Sequence, residues 1–569
     1  SRAPWRSGSR WHGCRAEFLE LMGRAGLFAT SLSVAMTFAV AILGPSVMEP
    51  ALPGQHGQPP WAFAAHPLPA LAVALAAAAL AAGTLGLGLG LRAAHRGWLV
   101  PPRAILCAGI VAAAAIALVP PFGSSDHLSY AAYGRMVVTG HNPYTTTPAM
   151  LARLGDPVAR AVQDWRGSPS VYGGLASGGQ ALASLAGGTS VRLTVFVLSL
   201  LNVAAFAATG LLLHRLTRGS APRQLRAALL WTFNPLLLQV LVAGEHVDSQ
   251  AIFFGVAAIA VFSLGLPNAS SQVPAPRRFL VALAAGGIAG LGAAVKLTMA
   301  LIVAGLVVAA VAAWWQHWRW IAVALGGLVT GFAVIVTASL APWGSASFRP
   351  ALHAGSFVSI GSPWRGVRAG LGLIVGGGIA GDLVKVGAIA LAVLLLVLLL
   401  RALRIGAGVD VAGVAAGCVF AFVFAWLVAW LYVLPWYDGL GWALLALLPI
   451  SASAVLVRPV LARPVLARPA LVGPVLVRPV LVLDWLLLAR TAALAFGYLP
   501  ARGITMPADL GWLRSVVRTG VTPVLLLAIT VWLVVFLWRL RPGVADLNPV
   551  NVTLPGSEPV QWHIHQPDP

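Results

Sequence analysis

The groups in this chain able to do acid–base or anion-binding chemistry fall into three clusters. The first is Ser124-Ser125-Asp126-His127-Leu128-Ser129-Tyr130-Ala131-Ala132-Tyr133-Gly134-Arg135. It sets a carboxylate a few residues past an apolar run, where an acid can ionise at modest cost and still reach a lipid headgroup. Asp126 there suits two roles: a reacting acid or base, or the cap of a following short helix, for which Ser125 is equally suited. Downstream come His141-Asn142-Pro143-Tyr144 and Trp165-Arg166-Gly167-Ser168-Pro169-Ser170-Val171-Tyr172. Flat rings beside hydrogen-bonding groups suit carbohydrate, whose C–H faces stack while its hydroxyls bond. An interfacial Trp/Tyr belt has such rings too, but without this much polar company.

The second cluster is Gly244-Glu245-His246-Val247-Asp248, two acids and an imidazole in one short turn, followed by Lys296 within a long apolar stretch. A lysine at such a place costs about 2.5–3.5 kcal/mol unless it snorkels or meets an anion, and a lipid phosphate is an obvious one. The third is Tyr432-Val433-Leu434-Pro435-Trp436-Tyr437-Asp438-Gly439, with Trp343, Trp364 and Arg365 on the same side of the pattern. No P-loop, dinucleotide fingerprint or HExxH motif competes with these.

The elements that must carry these groups are membrane helices. Hydrophobic residues make up 59% of 569 positions, charged residues 9%, and mean hydropathy is +0.87. A soluble domain has about a quarter charged residues, so lipid must be the main solvent. Leu- and Ala-rich runs without period-two alternation predict an all-α polytopic protein with about 13–14 spans. Their approximate cores are 24–46, 68–91, 104–120, 191–212, 226–243, 249–265, 279–295, 298–313, 320–341, 383–402, 411–432, 439–456, 480–497 and 520–538. The assignment is least regular around Lys296 and over 366–381, which reads as interfacial.

The formal charge of +21 does not indicate nucleic acid, because it lies in short segments between apolar runs. Arg92, Arg96 and Arg103; Arg215, Arg218, Arg223 and Arg226; Arg277 and Arg278; Arg319; Arg401 and Arg404; and Arg539 and Arg541 all fall on one side. The positive-inside rule makes that side cytoplasmic, together with both termini, and places the three clusters on the outer face of the plasma membrane. A basic leader over 1–23 precedes a membrane domain over 24–540, and a polar tail over 541–569 follows it. The largest outer loop, 121–190, follows the third span and is too long and polar for a connector. Residues 457–481 repeat VRPVL-like units with Pro in each, which predicts an extended cytoplasmic insert. Three scattered cysteines and His563/His565 make neither a disulfide framework nor a metal site.

Taken in order, DHLSYAAYGR, GHNPYTTTP, WRGSPSVYGG, FNPLLLQVLVAGEHVD, AAVKLT and LPWYDGLGWALLALLP resemble the actinobacterial polyprenol-phosphate-mannose-dependent α-1,6-mannosyltransferases of the GT-C class. The likeness runs over most of 25–540; it departs at the proline repeat and at SVYGG, where a Pro after Tyr-Gly is expected. It implies a GT-C-like fold, an outward-facing site and a polyprenyl-phosphate sugar donor. It also implies a glycolipid or mannan acceptor and a catalytic acid or base in the first large outer loop, which Asp126 matches. On that footing Lys296, His246 and Arg135 are expected at the donor phosphate. Tyr130, Asn142, Tyr144, Trp165, Arg166, Tyr172, Glu245, Asp248, Trp436, Tyr437 and Asp438 are expected around the substrates. Such chemistry requires no cofactor, and a divalent metal is not indicated. A transferase using another lipid-phosphate sugar such as arabinose, and a lipid-glycan flippase, are the competing readings.

Overall fold

A computed structural model describes residues 8–265, 273–403, 411–449, 455–457, 475–477, 479–500 and 506–541. The expectations for the tail, for His563/His565, for Arg404, for the first seven residues and for most of the proline repeat lie outside the described residues. Apart from the two- and three-residue strands Val455–Val457, Val475–Val477 and Leu540–Arg541, the described elements are helices.

Eleven of these helices are long and apolar enough to cross a membrane: Ala16–Ile42, Pro69–His95, Val191–Leu216, Ala221–Val242, Ala275–Val295, Leu297–Trp314, Trp318–Leu340, Gly377–Ala402, Val411–Ala429, Pro479–Tyr498 and Ala508–Arg539. Pro102–Ala117 and Asp248–Ser263 are shorter apolar helices at two further expected spans. The fold is therefore polytopic and all-α, as the hydropathy pattern requires. The remaining expected span, 439–456, is a difference. Its helix runs only from Asp438 to Leu447, 10 residues, all of them buried. At 1.5 Å per residue it covers about half of the hydrocarbon thickness, so it is a half-helix enclosed by its neighbours rather than a lipid-facing span.

The central span is broken. Ala221–Leu230 ends, the chain turns through Trp231–Asn234, and helix resumes at Pro235 and passes into a π-helix over Leu238–Val242. Pro235 lacks an N–H and disfavours helical geometry at Asn234, so the break is local chemistry. Asn234 Oδ1 accepts from Leu236 N (3.1 Å) and Leu237 N (3.3 Å), while its Nδ2 donates to Leu230 O (3.1 Å). Such a break is tolerable at membrane depth only where protein covers it, and residues 231–239 are all buried.

The expected inner-face arginines are not all solvated. Arg226 is 2% exposed; its Nε and Nη2 bind Asp484 at 2.9 and 2.5 Å, and His95 Nε2 meets the same carboxylate at 2.9 Å. Arg278 is also buried, its guanidinium 4.7 Å from the Trp314 ring centroid and 4.4 Å from that of Trp320.

Residues 121–190, read from sequence as a long loop, fold into helices: Asp126–Val138, Pro148–Arg153, Pro157–Arg160 and Gly174–Gly187. Two small apolar clusters hold them. One joins Leu128, Ala131 and Ala132 to Val158, Val162, Val191 and Val195; the other joins Tyr133 and Met136 to Leu151 and Ala159. This helical cap meets the membrane bundle through Gly173, whose N–H donates to Val295 O at 3.0 Å. A Cβ at Gly173 would lie 2.2 Å from Ala294 O, and one at Gly174 2.1 Å from Ser339 O. The paired glycines let the cap press backbone to backbone on two helix ends.

Candidate active site

Asp126 opens the helix Asp126–Val138, which starts where the third apolar helix and its short turn end. The capping alternative does not occur: the N-cap residue is Ser125 and it makes no side-chain cap bond. Ser125 Oγ instead donates to Asp164, and Ser124 Oγ accepts the Asp126 N–H at 3.1 Å. The Asp126 side chain lines two cavities and is 16% exposed.

Around that carboxyl stand groups from five other parts of the chain. His246 Nδ1 lies 3.5 Å from Asp126 Oδ2, and the imidazole stacks on Trp436 with ring centroids 3.5 Å apart. Trp165 lines both cavities with Asp126 and stands in a left-handed backbone position, φ 60°. A bulky residue with positive φ is unfavourable by about 1–3 kcal/mol, a strain typical of functional sites. Lys296 occupies the extended break between Ala275–Val295 and the following helix. Its Nζ binds Asp248 Oδ1 at 2.6 Å and sits 3.7 Å above the Tyr437 ring. Tyr172 Oη donates to Tyr130 Oη at 3.2 Å, with the rings edge to face.

Burial raises the Asp126 carboxyl from 3.8 to about 7, and the neighbouring Asp164 charge adds to it; Lys296 opposes. A group poised there can take and release protons near neutral pH. Burial, with Lys296 second, holds the His246 imidazole well below its ordinary value. It therefore meets Asp126 as a neutral ring.

Two cavities join at this carboxylate. One, about 440 Å³, is walled by Ser124, Ser125, Asp126, Asp164, Ser359, Arg514, Arg518 and apolar side chains. The other, about 350 Å³, is walled by Asp126, Tyr130, Trp165, Tyr172, Lys296, Trp436 and Tyr437 among others. Asp126, Trp165, Phe357, Tyr432, Leu434 and Tyr498 belong to both.

Seven of the residues singled out in the sequence therefore share this wall: Asp126, Tyr130, Trp165, Tyr172, Lys296, Trp436 and Tyr437. His246 and Asp248 lie immediately behind it, against Asp126 and Lys296. The others stand apart from both cavities. Arg135 is turned to Asp156 at 2.8 Å. Asn142 shapes a turn through Tyr144 N (2.9 Å), and Tyr144 is buried with its hydroxyl 3.0 Å from Ser177 Oγ. Arg166 is exposed. Glu245 is fully buried at φ 53° and accepts from Ser199 Oγ at 3.0 Å. Asp438 is buried against Arg490 (2.5 Å) and Thr491 (2.9 Å). Asp164, Arg514 and Arg518 are new. Asp164 adjoins Trp165, and Arg514 and Arg518, four residues apart, lie in the first part of the apolar helix Ala508–Arg539. Among the described residues, no three His, Cys, Asp or Glu side chains converge as metal ligands would.

Fold and site together define a multi-pass membrane protein with an aromatic, hydroxyl-rich chamber centred on one carboxylate. The chain belongs to the alpha-(1→6)-mannopyranosyltransferase family: the profile of that family's N-terminal domain matches residues 24–314. It is 27% identical over 238 residues to a probable alpha-(1→6)-mannopyranosyltransferase of Mycolicibacterium smegmatis, covering 39% of this chain and 40% of that one. It is 32% identical over 169 residues to an alpha-(1→6)-mannopyranosyltransferase of Mycobacterium tuberculosis, covering 28% and 27% respectively. The matched portion thus spans well under half the length of either relative. No solved structure matches the chain significantly.

Proposed function

We propose that this protein transfers mannose from a polyprenyl-phosphate donor to the 6-hydroxyl of a mannan or lipoglycan acceptor, on the outer face of the plasma membrane. Family membership supports mannosyl transfer. The observation that carries the chemistry is Asp126, standing where two cavities meet with its carboxyl raised to about 7. One cavity holds each substrate, and the reacting atoms meet at the junction.

Asp126 takes the proton of the acceptor 6-hydroxyl as that oxygen attacks the anomeric carbon. The new C–O bond forms as the bond from the anomeric carbon to the phosphate oxygen breaks, and the electron pair leaves with the phosphate. In-line attack on a β-linked donor inverts the centre and yields the α-1,6 linkage. Two rings flank the base: Trp165, which lines both cavities beside it, and His246, stacked on Trp436 with Nδ1 3.5 Å from Asp126 Oδ2. Phosphate charge grows as the bond breaks, so cations beside it stabilise the transition state more than the ground state.

The outer-face assignment, with cytoplasmic termini, is supported by the sequence asymmetry of basic loops. The test is Asp126→Asn in membranes given radiolabelled polyprenyl-phosphate mannose. Loss of a general base lowers the rate by about 10²–10⁴-fold. Near-normal product at equal protein level ends the assignment, and transfer of labelled arabinose instead redirects the donor.

A further inference from the structure

The two cavities differ in their charge. In the 350 Å³ cavity Lys296 is neutralised by Asp248 at 2.6 Å, and the wall carries six Tyr and four Trp, with Asp126 and His353 its other titratable acid and imidazole. In the 440 Å³ cavity Arg514 and Arg518 line the wall, and among the described residues neither has a carboxylate within 4.0 Å. Asp164 and Asp126 face them from the other side of that cavity.

Arg518 is held in place. Its Nε donates to Gly497 O at 2.9 Å, its Nη2 donates to Tyr498 O, and its guanidinium lies 4.4 Å from the Tyr498 ring centroid. These contacts use the carbonyls at the end of one membrane helix to fix a cation on the next. Both arginines sit on the π-helix Leu513–Val521, an irregularity often found at functional sites. The helix continues as Thr522–Arg539, whose Val524, Leu525, Leu527, Val531 and Trp532 are 46–65% exposed and apolar. An anion between Arg514 and Arg518 would therefore sit at the head of a lipid-facing helix, with a track for an acyl or prenyl chain beneath it.

We propose that Arg514 and Arg518 form the subsite for the phosphate of the lipid-borne donor, which leaves the aromatic cavity for the acceptor sugar. The assignment rests on the donor reading above. It moves the phosphate from Lys296, whose charge is already compensated, and from Arg135, which is bound to Asp156. Asp126, common to both cavities, then stands between acceptor hydroxyl and anomeric carbon.

The full chain in phosphatidylcholine nanodiscs provides the test, with polyprenyl phosphate as probe and inorganic phosphate as competitor. Arg514→Met and Arg518→Met should each weaken polyprenyl-phosphate binding about tenfold or more, the scale of a lost charge-assisted hydrogen bond. The donor KM should rise while the acceptor KM stays unchanged, and Lys385→Met, on an exposed ion pair elsewhere, should change neither. Arg514 is exposed, so its variant remains informative even where loss of Arg518 weakens the fold. Binding retained undiminished by the Arg514 variant overturns the subsite alone. A wild-type protein that does not bind polyprenyl phosphate overturns the donor reading itself. Displacement by millimolar inorganic phosphate identifies a free-anion site and overturns the lipid assignment.

Discussion

Asp164→Asn should extend activity toward acid. The Asp126 carboxyl is raised from 3.8 to about 7, first by burial and next by the charge of Asp164. A base must be ionised to act, so the rate follows its ionised fraction: about one half at pH 7 and about one tenth at pH 6. Replacing Asp164 by its neutral isostere removes the like charge but keeps an oxygen for the Ser125 hydroxyl. Removal of a nearby like charge lowers a carboxyl by about one pH unit, or about 1.4 kcal/mol between its two protonation states. At pH 6 the variant then has about half its base ionised, about five times the wild-type fraction, while above pH 8 the two enzymes converge. The assay is kcat/KM for the lipid-linked donor and a short α-1,6-mannoside, in nanodiscs, from pH 5 to 8.5. An acid limb that coincides with that of wild type, or moves upward, would refute the role of Asp164 and the assignment of the limb to Asp126.

Three further perturbations have defined signs. Lys296→Met removes a cation that holds the Asp126 carboxyl down, so the acid limb should move up; it also strands Asp248 in a buried place, at a cost of about 3–5 kcal/mol seen as a lower Tm. Asp126→Asn should raise Tm most clearly above pH 7. A carboxyl raised by folding contributes stability below its unfolded value that is lost as pH rises through about 7, and the Asn variant has no such loss. Gly173→Val should destabilise the cap on the bundle, because even its Cβ would meet Ala294 O at 2.2 Å, and limited proteolysis within 121–190 would report it.

The sequence by itself determined the membrane class and nearly all the spans, and it set Asp126 just past the third apolar run. Those properties depend on local composition: a helix in lipid needs about 20 apolar residues wherever it packs, and an acid just beyond one is visible as such. The break at Asn234-Pro235 interrupts 226–243, which the hydropathy pattern reads as one continuous span. Tertiary structure decided which polar residues meet. Arg135, Asn142 and Asp438 lie in the same motifs as the site residues, yet each is satisfied elsewhere, by Asp156, a turn and Arg490. Arg226 read as a solvated inner-loop charge and is a buried clamp on Asp484. Nothing in residue spacing brings Asp164 to Asp126, or Arg514 and Arg518 across to Phe357 and Tyr432; only the packing of loops far apart in the chain does that. Charge compensation is a pairwise property in space, so the sequence could name the charged groups but not which of them keep a free charge in the site.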